Sequence, residues 1–174
     1  LEQNDREVAL KAVREDGSAL QWAGEVLKAD RDIVMAAVTN RGQSLQHAAA
    51  SCRSDREIVL AAVMQDGLAL RHAAEPCRGD FELVLAAVKQ TYVALTMAQR
   101  ECSRVREIVL AAIAQDGRAL KFTAAELQDD VDVVLAAVRQ EGRALQWASK
   151  ALQNDYGVVM AAVQQNGLAL KFAD

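Results

Sequence analysis

The chain has 174 residues, a formal net charge of −4 with acids and bases closely interleaved, and only 4% aromatic residues. That balance argues against a polyanion-binding groove and against an aromatic-lined ligand cavity. The hydrophobic content of 52% is rich in alanine, which permits close helix packing. The 15-residue uncharged stretch from Tyr156 to Leu170 is broken by Gln164, Gln165, Asn166 and Gly167 and is too short to span a bilayer, so no transmembrane segment is expected.

The first cap is Asp5, a good helix N-cap, followed by Glu7 in the first turn, where negative charge suits the helix dipole. Ala9, Lys11 and Arg14 stand where later units prefer Val, Ala and mixed residues, so this first unit reads as a modest polar cap. The same pattern is clearest from Asp55 to Leu70. Asp55 caps, Glu57 follows, and Ile58 to Val63 is apolar almost all round, which predicts a helix buried on most sides. Gly67 then stands where a C-cap would need a positive φ. Ala69, Leu70, Ala73 and Cys77 form one apolar stripe of a second helix, which must end before Asp80. Each unit is therefore expected to be two helices of roughly ten residues, about 15 Å long.

Asp5, Asp30, Asp55, Asp80, Asp130 and Asp155 fall in one column with a step of 25 residues. The glycines 17, 42, 67, 117, 142 and 167 form a second column, and the leucines 20, 45, 70, 95, 120, 145 and 170 a third. No insertion breaks the step, so seven units are counted. The period is shorter than tetratricopeptide, ankyrin or armadillo units, and nothing reads as a strand. The expected architecture is all-α: an α-solenoid, right- or left-handed, of seven 25-residue two-helix repeats forming one domain over 1–174, within a longer chain or a larger assembly.

The fourth unit departs from the pattern. Thr91-Tyr92-Val93 replaces the acid-Gly-x turn, so either the turn opens or the first helix runs on. Val105 stands where the next cap should be, and Arg100, Arg104 and Arg106 give local positive charge. Just upstream, Pro76 and Gly79 are expected to shorten a second helix. Such a local break marks either drift or use.

The first helical position reads Arg6, Arg31, Arg56, Phe81, Arg106, Val131, Tyr156. Beside the acids that follow each member, the arginines are expected to form a solvated ridge. Phe81, Val131 and Tyr156 break it, marking either a partner surface or variation tolerated at an edge. The last unit stops inside its second helix with Phe172 near the end, leaving an apolar face for which further chain or a docked protein is the expected cover. The candidate partner-binding residues are thus Phe81, Tyr92, Val93, Arg100, Arg104, Arg106, Val131, Tyr156 and Phe172.

Chemistry-bearing residues are sparse. Cys52, Cys77 and Cys102 share one repeat position, and equivalent positions in stacked helices lie about 9 to 10 Å apart, too far for mutual disulfides. Buried free thiols are expected, favouring a reducing compartment. His47 and His72 occupy a column of large side chains with Trp22, Met97, Phe122, Trp147 and Phe172. His47 and Cys52 do not share a helix face, so no metal site is expected. No Gly-rich phosphate loop follows a strand, and no nucleophile has a plausible base at its level. No catalytic residue, no cofactor and no metal are expected.

Units reading D-x-E-x-V-L-A-A-V-x-x-x-G-x-A-L-x-x-A resemble the tandem repeats of the domain-of-unknown-function family forty-one-sixteen, over essentially the whole chain. The resemblance implies helical repeats of single-celled eukaryotes, algae included, and of some bacterial proteins, with no known reaction. The expected function is a non-enzymatic scaffold for other proteins, such as an accessory or linker subunit of a large organellar, photosynthetic assembly, with a plastid as one location. The alternatives are a nucleic-acid-binding helical repeat, against which the paired acids argue, and the repeat spacer of a bacterial effector.

Overall fold

A computed structural model describes residues 5–174. Its described residues form an all-α repeat solenoid with no strand, and they fall into two compact units, Leu1–Gln90 and Thr91–Asp174. The division lies at Thr91-Tyr92-Val93, the tripeptide that breaks the repeat. Seven ten-residue α-helices mark the repeats: α1 (Arg6–Glu15), α2 (Arg31–Asn40), α3 (Arg56–Gln65), α4 (Phe81–Gln90), α5 (Arg106–Gln115), α6 (Val131–Gln140) and α7 (Tyr156–Gln165).

The caps work as the sequence predicts. Asp55 Oδ1 accepts from the amides of Glu57 at 2.9 Å and Ile58 at 3.2 Å, and Asp30 does the same for α2. Each helix ends at an extended residue, such as Asp66 at φ −150° and ψ 111°. The carboxylate of Asp66 then accepts from the amide of Leu68 at 2.9 Å, a local bond that competes with helix continuation. Asp16, Asp116, Glu141 and Asn166 repeat this arrangement.

The second half of the repeat is not one helix. It is a 3₁₀ segment, Gly67–His72, then two extended residues, then one α-turn, Glu75–Arg78. Ala73 and Ala74 have ψ near 150–160°, so the expected continuous helix is interrupted there. The interruption frees the Ala74 N–H to donate to Arg53 O of the preceding repeat at 2.8 Å. Ala49 reaches Lys28 O, Ala124 reaches Ser103 O, and Ser149 reaches Gln128 O in the same way. A continuous helix would consume that donor internally. The stripe misleads because Ala69, Leu70, Ala73 and Cys77 are all buried although they lie on two separate segments and the link between them.

The turn glycines are also not there for a left-handed conformation, since no described glycine has a positive φ. A Cβ added to Gly17, Gly42, Gly117 or Gly142 would lie 2.3–2.4 Å from the carbonyl oxygen of Ala37, Ala62, Ala137 or Ala162 in the following repeat. Glycine is required by the close approach of the next long helix. The same amides are satisfied across the joint: Gly67 N–H donates to Gln90 Oε1 at 2.8 Å, and Gln90 Nε2 returns to Val63 O at 2.8 Å.

Within the first unit α1, α2, α3 and α4 pack consecutively, and within the second α5, α6 and α7 do so. Their shared faces bury Ile33, Ile58, Leu83, Ile108 and Val133 completely. Each such side chain contributes about 1.5–3 kcal/mol on burial, which stabilises helices too short to persist alone.

Two expectations about irregularity need correction. Pro76 does not shorten its segment: Glu75–Arg78 has four residues, like Glu25–Lys28 and Ala50–Arg53, because proline in the first turn removes no helical hydrogen bond. Nor does Tyr92 open the turn or extend α4, which stops at Gln90 with Thr91 extended at φ −152°. The change comes after it. The 3₁₀ segment Tyr92–Thr96 ends one residue early, with Met97 as its C-cap, and a second 3₁₀ segment, Arg100–Arg104, replaces the α-turn. A short side chain at position 103 accompanies the change. Gln128 and Gln153 donate to the closing carbonyls of their 3₁₀ segments, including Leu120 O and Leu145 O at 3.1 Å. Ser103, at the equivalent position, is too short and donates to Arg100 O at 2.7 Å. Val105 makes no side-chain cap, yet α5 keeps its ten residues because packing outweighs one cap.

Candidate functional site

The arginine column is an exposed ridge, as expected, and its members pair with acids of the following repeat. Arg6 Nε meets Asp30 at 2.7 Å and its Nη2 meets Asp32 at 2.6 Å, one repeat on. Arg31 bridges Asp55 and Glu57, Arg56 bridges Asp80 and Glu82, and Arg106 bridges Asp130 and Asp132 at 3.5 and 3.4 Å. Each guanidinium thus forks between the next repeat's N-cap and its first-turn acid. Hydrogen bonding to these acids raises the pKa of Arg6, Arg31 and Arg56, and the Arg6 hydrogen bond lowers that of Asp30. For Asp130 the amide of Val133 is the larger cause and Arg106 the lesser. Arg106, a candidate partner-facing residue, pairs with Asp130 and Asp132 while its side chain stays about half exposed.

The interruptions in that column follow the acids. Arginine is present wherever the next repeat offers both carboxylates. Phe81 precedes the repeat whose cap is Val105, and Val131 precedes the one with Gly157 in place of the acid. Phe81 is 41% exposed, Val131 47% and Tyr156 80%, so burial against a preceding repeat does not account for any of them. Between α6 and α7, where no fork spans the joint, lies a groove of about 530 Å³ lined by Val131, Leu135, Gly157, Val158 and Met160 among others. Leu135, Gly157 and Met160 were not legible as site residues; the signal was the paired loss of arginine at 131 and acid at 157.

The fourth repeat builds a second cluster. Tyr92 stacks on Phe122 with ring centroids 6.4 Å apart, and the Arg118 guanidinium lies 5.7 Å from the Tyr92 ring. Arg118 is itself held by Asp116, whose pKa the Arg118 side chain lowers. Tyr92 and Val93 are both half-buried, and Tyr92 is engaged in this cluster. Arg100 is exposed, and Arg104 makes one loose pair with Glu126 at 3.6 Å. Arg118, Lys121 and Phe122 escape a search confined to the fourth unit, because they stand one repeat later in sequence.

Comparison with known proteins decides the family. The pattern of the domain of unknown function DUF4116 matches residues 5–53, 55–99, 106–153 and 130–174. The chain belongs to the DUF4116 family. No curated protein and no solved structure matches it. The DUF4116 matches pass over residues 100–105, the segment that carries Arg100, Arg104 and the lost cap.

The remaining candidates of the DUF4116 chain are ordinary parts of the repeat. Cys52, Cys77 and Cys102 are buried thiols. The Cys52 and Cys77 thiols approach Ala29 O and Ser54 O of the preceding repeat at 3.5 Å, and burial raises both pKa values. His72 Nε2 shares a hydrogen bond with Gln43 Oε1 at 2.9 Å, and burial lowers the pKa of His47 and His72. Phe172 is partly covered, with Lys171 Nζ 4.7 Å from its ring centroid. Leu170 is exposed where its equivalents Leu20 to Leu145 are buried. Among the described residues no group of three His, Cys, Asp or Glu is placed to hold a metal ion, and no helix is long and apolar enough to cross a membrane.

Proposed function

We propose that this DUF4116 chain is a non-enzymatic structural adaptor that binds other proteins through the surface of its repeats, as an accessory or linker subunit of a larger assembly. The observation that carries this reading is the groove between α6 and α7. It replaces an inter-repeat ion-pair fork with exposed Val131, Gly157 and Met160, and Tyr156 stands beside it in the chain with four-fifths of its surface open. Exposed tyrosine and methionine are residue types that anchor protein interfaces, and the groove beside them adds Arg139, Asp155 and Gln164 to its apolar lining. Asp30, Asp55, Asp80 and Asp130, by contrast, serve as caps and fork partners, and Asp116 locks a turn.

A photo-crosslinking residue at position 156 tests the proposal in extracts of the source, with one at the exposed Met64 as control. The expected result is a discrete protein adduct from position 156 that the control does not give and that Val131→Glu abolishes. Identical adducts from both positions, or adducts indifferent to Val131→Glu, would overturn it.

A further inference from the structure

We infer that a second groove, beside the irregular fourth repeat, holds an acidic, extended segment of a partner protein. The inference rests on the adaptor reading and specifies a ligand chemistry for it. The groove has a volume of about 460 Å³, and Arg100, Ser103, Arg104, Lys121, Phe122 and Glu126 are among its walls. Three cations face one carboxylate there, on a chain whose overall charge is −4. The arginines of the first-helix column are committed to forks. Arg100 and Lys121 form no ion pair among the described residues, and Arg104 holds Glu126 only at 3.6 Å with both side chains largely exposed, a pair of little strength.

Local sequence explains why the groove is open. Position 103 belongs to the column Lys28, Arg53, Arg78, Ser103, Gln128, Gln153. The carboxamides of Gln128 and Gln153 fold back onto 3₁₀ carbonyls, whereas Ser103 ends short. Ser103 O still holds the next repeat through Ala124 N at 3.0 Å, so the floor is fixed while the wall is lowered. Phe122 is 36% exposed with Lys121 Nζ 5.7 Å from its ring centroid, and Tyr92 backs it by stacking. Two unpaired cations flanking a partly exposed ring fit a peptide whose carboxylates flank an apolar side chain. The cations are too few, and Glu126 too close, for a polyphosphate chain to be the better occupant.

The test uses the full chain and a fluorescein-labelled peptide of six glutamates around a central leucine, with the lysine version and an oligothymidylate as competitors. Fluorescence anisotropy at low ionic strength is expected to show saturable, salt-sensitive binding of the glutamate peptide and none of the lysine peptide. Arg100→Ala with Lys121→Ala is expected to weaken it about tenfold, two exposed ion pairs' worth, without lowering the melting temperature. Ser103→Gln keeps every cation but fills the groove, and it too is expected to weaken binding, which covers the case in which the double variant folds poorly. No glutamate-peptide binding, affinity unchanged by both variants, or tighter binding of oligothymidylate would each overturn the inference. Such a failure with the position-156 adducts intact removes the acidic-segment assignment alone; loss of those adducts with peptide binding intact removes the α6–α7 interface instead.

Discussion

Gly42 lies so close to Ala62 of the next repeat that a Cβ on it would stand 2.3 Å from the Ala62 carbonyl oxygen. The contact is with backbone inside a buried joint, so no rotamer change relieves it. Gly42→Ala is therefore expected to cost about 2–3 kcal/mol, the range of overpacking in tight cores. Gly167 has the same place in its repeat but nothing within 4 Å of an added Cβ. With no positive φ to lose, Gly167→Ala is expected to be neutral or to stabilise by up to about 1 kcal/mol. Urea titration of the two variants checks both, and equal costs would contradict the close-approach explanation.

The ion-pair forks make a constructive prediction. Val131 and Gly157 are the two positions at which the fork is missing between α6 and α7. Val131→Arg together with Gly157→Glu recreates the pattern of Arg31 with Asp55 and Glu57, and also removes a glycine from a helix. The fork should add about 0.5–1 kcal/mol beyond the sum of the single changes, diminishing in high salt. A double-mutant cycle measures that coupling directly.

Much of this was open to sequence reasoning, and the misses share one physical origin. The caps at Asp30 and Asp55, the ten-residue helices and the repeat count follow from local rules read along one helix. The continuous second helix expected through Ala74 and the positive φ expected of the turn glycines were misread, and the fork of Arg31 was missed, because each serves the neighbouring repeat. Ala74 leaves the helix to reach Arg53, Gly42 makes room for Ala62, and Arg31 spans to Glu57. Propensity arguments look along the chain, and these constraints act across it. The irregular fourth repeat was visible at Tyr92 and Val105, yet its groove depends on Ser103 and Lys121, which acquire meaning only when adjacent repeats are superposed.

Acid should unfold the chain through its caps. The carboxyls of Asp30, Asp55, Asp80 and Asp130 all titrate below their ordinary value. For Asp30 the Arg6 hydrogen bond leads; for Asp55 and Asp80 burial pushes upward, and the amides of Ile58 and Leu83 with the arginine forks outweigh it. A depressed pKa adds stability that is complete above the unfolded-state value and is lost as pH falls through the folded one. The melting temperature should thus be flat above about pH 7, ease down between about pH 6.5 and 5 as the partly buried His47 and His72 take up protons, and fall steeply below about pH 4 as the caps do. No steep fall below about pH 4 would contradict the cap account.

The thiols offer a check on burial. With Cys52 and Cys77 pushed toward the protonated form and all three cysteines covered, the native chain should resist a disulfide reagent at about pH 8 and yield three thiols on denaturation. Rapid native labelling would show that the joints open more readily than their packing implies.

The central claim, that this chain works by holding other proteins, is tested most directly by gentle purification from its source, size-exclusion chromatography and mass spectrometry of what co-elutes. The adaptor account predicts elution in a defined larger complex, with crosslinks to neighbouring subunits from Tyr156 and Arg104. Elution solely as an intact monomer, with no stoichiometric companion, would contradict it.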